Sequence, residues 1–233
     1  MILEELKKVS KYKSPTRITR FHKESYVDNE FDWFMGIKTP ILRSLAKCHY
    51  KTIDDSTLLG LLRDKIHEYR ALALMILVNK SEKADLNELM RIVDIYLENI
   101  DYVNNWDLVD LSAVVVGRYA YWHNQKEVIY KLSKSKNLWY KRIAIVSTWI
   151  FIKNKEFDIT FDIVDYLIDD THHLIHKACG WMLREIGKRD VDVLTNYLQR
   201  NYQKLSRTTL RYAIEKYPEE IRKKILKGEF VWK

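Results

Sequence analysis

Apolar residues recur three and four positions apart along almost the whole chain. Leu58, Leu59, Leu61, Leu62 and Ile66 form one such stripe, and Leu86, Leu89, Met90, Val93 and Leu97 form another. That period belongs to amphipathic helices rather than to strands. Short polar stretches punctuate the stripes: NKSEKAD at 79–85, HNQKE at 123–127 and KNKEFD at 153–158. Glycine (6) and proline (3) are too scarce to supply the turns of a β-rich fold. The pattern predicts about eleven to thirteen helices joined by short loops. No linker is long enough to divide the chain, so residues 1–233 read as a single all-α domain.

A repeat runs beneath the periodicity. EYRALALMI (68–76) resembles WYKRIAIVS (139–147), and LIHKACGWM (174–182) is a further copy, with Arg70, Arg142 and Lys177 in similar places. NNWDLVDLS (104–112) falls in the register missing between the first two. The period is about 35–36 residues, the length of a helix pair that buries its apolar face only by stacking on its neighbours. The expected architecture is a superhelical solenoid of HEAT-like helix-pair repeats whose concave face is basic. A cation at the start of each second helix also has a purely structural reading, as a contact within the repeat.

Composition narrows the function. Apolar residues make up 47% and charged residues 31%, and no apolar run reaches the roughly 18 residues of a membrane span. The charged N-terminal segment MILEELKKVSKYKS lacks a secretory core, so a cytoplasmic, nucleoid-associated location and no membrane partner are expected. Cys48 and Cys179 are far apart and read as reduced structural thiols. A net charge of +8 and a pI near 9.2 favour a polyanionic partner without naming one. Glycine-rich phosphate loops, zinc-finger cysteines and nucleophile elbows are all missing, which argues against phosphoryl transfer and serine hydrolysis. HHLIH (172–176) has histidines at metal-ligand spacing but nothing to complete a set. No metal and no cofactor are expected.

The segment NNWDLVDLS carries the most chemistry. Asn104 or Asn105 can cap a helix, placing Trp106 and Asp110 four residues apart on one face. Asp107 suits the first turn, where it complements the helix dipole. In HKACGWMLREIGKR (176–189), Lys177, Trp181, Arg184 and Lys188 share one stripe, a surface suited to a polyanion beside something flat. Gly180 costs that helix about 1 kcal/mol relative to alanine, a cost that fits close approach by another helix or a ligand. Lys134, Lys136, Lys141 and Arg142 cluster around Trp139 at a third helix start. Further cations at 199–213 and in the N-terminal segment extend a discontinuous basic track.

These residues resemble the bacterial AlkD-like DNA alkylation repair glycosylases, which are built from HEAT-like repeats. The resemblance spans about residues 15–215. It is carried by FMGIKTPILR (34–43), NNWDLVD (104–110), NLWYKRIAI (137–145) and KACGWMLREIGK (177–188). It implies a monofunctional enzyme that excises positively charged N3- and N7-alkylpurines from duplex DNA by hydrolysing the N-glycosidic bond. It puts the family's catalytic tryptophan and aspartate on Trp106 and Asp110, and its second tryptophan on Trp181. The arginine that the family places near the DNA backbone falls on Arg142, and the arginine after its second tryptophan on Arg184; with Lys141, Lys177 and Lys188 of the clusters above, these are the expected DNA-binding residues. A cleft tyrosine of the family falls within about a residue of Tyr26. The partner is double-stranded DNA carrying alkylated purines, met by a monomer. The rival readings are a non-catalytic HEAT-like DNA-binding module and a protein-interaction scaffold.

Overall fold

The computed structural model describes residues 2–16 and 33–230. Every regular element among them is helical apart from two isolated bridges, Thr16 with Phe34 and Trp33 with Ile66. The chain is all-α. The helices are α1 (Ile2–Val9), α2 (Thr39–His49), α3 (Asp55–Leu62), α4 (His67–Lys83) and α5 (Leu86–Glu98). A 3-10 turn, Ile100–Tyr102, leads to α6 (Trp106–Ser112) and α7 (Val114–Trp122). There follow α8 (Glu127–Ser133), α9 (Leu138–Ser147), α10 (Trp149–Lys153), α11 (Asp158–Tyr166), α12 (His173–Gly187), α13 (Val191–Asn201), α14 (Arg207–Ala213) and α15 (Glu219–Lys227). No described helix is long and apolar enough to cross a membrane.

The described chain divides into two compact units, Met1–Val115 and Val116–Lys233. The division falls inside α7, so no linker composition marks it in the sequence.

Helix starts follow capping chemistry. Asp54, Asp85, Asn105, Asn137, Asp190 and Ser206 each accept a backbone N–H of the first turn of the helix they precede, satisfying donors that a helix leaves over. In the first unit α4 is the centre. Tyr69 and Arg70 through Leu77 are buried without a break, as expected of a helix surrounded on all sides. On α5 the buried stripe is Leu89, Ile92, Val93 and Tyr96, while Leu86 and Met90 face solvent. The apolar stripe read from the sequence is thus rotated: Tyr96 supplies the core contact, its hydroxyl meeting that of Ser112 at 3.1 Å.

Hydrogen bonds about one repeat apart stitch each unit. In the first, Arg63 Nε donates to Asn99 Oδ1 at 2.6 Å and Arg70 donates to Asn104 Oδ1 at 3.2 Å. In the second, Tyr130 donates to Asp162 at 2.7 Å and Tyr197 to Asp165 at 2.5 Å. The second unit centres on α12, which packs against α9, α13 and α14. Gly180 sits where α12 meets α14, and a Cβ there would lie 2.5 Å from the Thr209 carbonyl oxygen and 2.5 Å from Tyr212 Cβ. The approaching group is therefore a helix of the same unit. Gly180→Ala should lower stability by about 1–3 kcal/mol despite the better helix propensity of alanine. That is a fall of roughly 3–10 °C in Tm for a chain of this size, read by thermal melting; an unchanged Tm would mean the two helices separate at little cost.

Candidate functional site

The W-D-L-V-D turn is held from below by α4. Arg70 is 0% exposed, and its guanidinium donates to the Asp64 carbonyl at 2.8 Å as well as to Asn104. Asn105, itself buried, caps α6 by accepting from Trp106 N at 2.8 Å. Of the two candidate caps, Asn105 does the capping and Asn104 receives the arginine. Asp107 is a first-turn acid with a second role: its Oδ2 lies 2.7 Å from His67 Nε2. His67, 4% exposed, stacks on Phe34 at 4.9 Å between ring centroids.

A second carboxylate shapes the opposite wall. Glu68 is buried and accepts the backbone N–H groups of Met35, Gly36 and Ile37 at 2.7–3.2 Å. Three successive amides converging on one carboxylate fix the loop that leads into α2. Gly36 has φ +72°, and a Cβ there would meet Tyr12 Cε2 at 2.8 Å, so both backbone and space require glycine.

Between these walls lies a groove of about 490 Å³. Trp106, Asp107 and Asp110 line it from α6, His67 and Glu68 from α4, and Lys38 and Arg43 from the α2 side. Trp106 and Asp110 are both half-buried, a flat indole and a carboxylate presented together. His67, Glu68, Lys38 and Arg43 escaped the reading of the sequence. The adjacency of HEYR to the repeat cation is the one signal that pointed towards the first two.

The second unit holds the remaining predicted residues. Trp181 is half-buried on α12. Lys177 is half-buried and has no ion-pair partner among the described residues. Arg184 is paired with Glu215 of the segment after α14. Lys188 binds Glu185 at 2.5 Å; burial opposes the charge of that carboxyl, but hydrogen bonds from Lys188 and Arg189 hold it below its ordinary range. Lys141 is paired with Asp170. Arg142, 5% exposed, donates to the Leu174 carbonyl at 2.5 Å, and Trp139 is core, 4% exposed. Two of the four cations around Trp139 are thus engaged within the unit, while Lys134 and Lys136 stay exposed: Arg142 spans repeats as Arg70 does, and Lys141 orders the turn before α12. Tyr26 lies outside the described residues.

The three histidines of HHLIH also have structural partners. His172 caps α12 by accepting from Leu174 N at 3.2 Å, and His176 Nε2 contacts the Asp170 carbonyl. No cluster of three metal-ligating side chains occurs among the described residues. Burial, and then the neighbouring His173, push the His172 imidazole below its usual pKa of 6.5. The folded state thus favours the neutral ring that the cap requires. Its stabilising effect is complete above pH 6.5 and is lost as the pH falls below that value, where the unfolded chain takes up the proton first. His172→Asn keeps a capping oxygen without titrating, so its Tm should fall less than that of the parent between pH 7 and pH 5. Parallel Tm–pH curves for the two proteins would count against this.

The sequence matches the family described as DNA alkylation repair enzyme over residues 2–217. The chain belongs to the DNA alkylation repair enzyme family. A solved structure described as a predicted DNA alkylation repair enzyme from Enterococcus faecalis shares its fold, with a TM-score of 0.67 at 18% identity, covering 86% of this chain and 94% of that one. No curated protein matches the sequence. Membership in this repair family goes with the all-helical architecture and implies that the protein binds DNA.

Proposed function

We propose that this DNA alkylation repair enzyme is a monofunctional glycosylase of HEAT-like architecture that hydrolyses the N-glycosidic bond of N3- and N7-alkylpurines in duplex DNA. The observation that carries the reading is the pairing of Trp106 with Asp110 in one half-buried groove with cations along its rim. The chemistry asks for little more. An N7-alkylpurine already bears positive charge, so it leaves as a neutral base without a general acid. What remains is to stabilise an oxocarbenium-like sugar and to aim water at its anomeric carbon. The Asp110 carboxylate does both, and Trp106 offers a π face to the cationic nucleotide.

Lys38 also lines the groove, yet it is exposed. A Schiff-base lysine is usually desolvated or set beside another cation that lowers its pKa, so hydrolysis by water fits better than strand nicking. On the second unit, Trp181 and the half-buried Lys177 offer an aromatic face and a positive charge for DNA. Arg184, Lys188 and Lys141 contribute to a phosphate only by exchanging the carboxylates that hold them. The enzyme is taken to act as a monomer, on the nucleoid.

The test is to incubate the purified protein with methylated genomic DNA and identify the released bases by mass spectrometry. Release of 7-methylguanine and 3-methyladenine is expected, with no protein–DNA cross-link on borohydride reduction. DNA binding without any released base would leave the non-catalytic reading in possession.

A further inference from the structure

Arg142, Arg184, Lys188 and Lys141 are engaged within the second unit, whereas the first unit carries a set of cations beside the Trp106 groove that is not. The groove around Trp106 and Asp110 adjoins another of about 510 Å³, and the two share Arg43, Met75 and Leu111. Helix α2 runs beside both. Lys38 precedes it, Arg43 and Lys47 stand one turn apart on it, and Lys83 at the end of α4 closes the far side. All four are exposed, and none has an ion-pair partner among the described residues.

The acids are distributed differently. Asp110, Asp107 and Glu68 gather at the Trp106 end, where His67 and the backbone amides occupy the latter two. Glu82 is the one acid lining the second groove, against Arg43, Lys47 and Lys83. The charge along the groove therefore changes from acidic beside Trp106 to basic along α2, over an apolar floor of Met75 and Leu111.

We propose that α2 is the phosphate-binding rail of this protein, with Arg43 and Lys47 holding successive phosphates of the lesion-bearing strand. Arg43 borders both grooves, so a phosphate on its guanidinium leaves the adjoining sugar over Asp110. Residues at i and i+4 stand about 5–6 Å apart at their Cβ atoms, and both side chains are long enough to meet neighbouring phosphates. A guanidinium next to the reacting nucleotide fixes position bidentately, while an ammonium one turn further acts as a point charge. Neither reads sequence.

The inference rests on the glycosylase reading for its substrate, but its test is separate. Each phosphate contact contributes about −0.9 to the slope of log K against log salt on duplex DNA. Arg43→Ala and Lys47→Ala should each flatten that slope by about one unit and the double variant by about two, with unchanged melting curves because both side chains are exposed. Arg43→Lys should restore most of the slope. Alanine at the exposed Lys131 or Lys224 should leave it as it was. Unaltered slopes in the α2 variants would overturn the rail and leave the glycosylase reading standing. Flattened slopes with no base released by the parent would sink the glycosylase reading and keep the rail. A parent protein with no affinity for duplex DNA would remove both.

Discussion

Replacing Asp110 with asparagine should slow base release about a thousandfold and leave DNA binding nearly intact. The reasoning is electrostatic. A carboxylate about 4 Å from a developing unit charge, at an effective dielectric near 20, is worth about 4 kcal/mol, and that free energy corresponds to around three decades of rate. Asparagine keeps the shape and a carbonyl oxygen for the water but loses the charge. Single-turnover release of 7-methylguanine measures the effect, and a gel shift on the same duplex controls for binding. Asp110 is half-buried at the groove rather than in the core, and a melting curve of the variant separates lost chemistry from lost folding. Release at the parental rate would remove Asp110 from the chemistry altogether.

The second large effect is one of stability. Arg142→Ala should lower Tm by roughly 5–15 °C, corresponding to about 2–4 kcal/mol at the size of this chain. The guanidinium is buried and donates to the Leu174 carbonyl at 2.5 Å, a bond to the next helix pair that alanine cannot make. A buried hydrogen bond from a charged donor contributes about 1.5–3 kcal/mol, and the lost packing of the long side chain adds to it. If the variant instead melted like the parent while the salt slope of DNA binding fell by one unit, Arg142 would be a phosphate ligand. Differential scanning calorimetry and binding titrations at several salt concentrations separate the two outcomes.

The difference between Asp110 and Arg142 shows what the sequence made legible. Helical period, capping residues and the short-range geometry of W-D-L-V-D are local properties. The four-residue spacing that put Trp106 and Asp110 on one face needed only the pitch of a helix. The engagement of a cation is a property of what faces it. Nothing within a few residues of Arg184 announces Glu215, and nothing near Lys141 announces Asp170. Arg142 and Arg70 look like surface charges in a one-dimensional pattern, yet each spans to the next helix pair. Conversely, Lys38, Arg43 and Lys47 were ordinary charges in the sequence, and only the folded groove separates them from the rest. His67 and Glu68 belong to the same class, since their partners lie 31–40 residues away.

The bonds spanning about one repeat carry a consequence for how such chains change over evolutionary time. Arg63 reaches Asn99, Arg70 reaches Asn104, Tyr130 reaches Asp162 and Arg142 reaches Leu174. Each joins one helix pair to its immediate successor and to nothing beyond it. A lineage can therefore gain or shed an entire pair in one genetic event, and only the two pairs flanking the seam must find new partners.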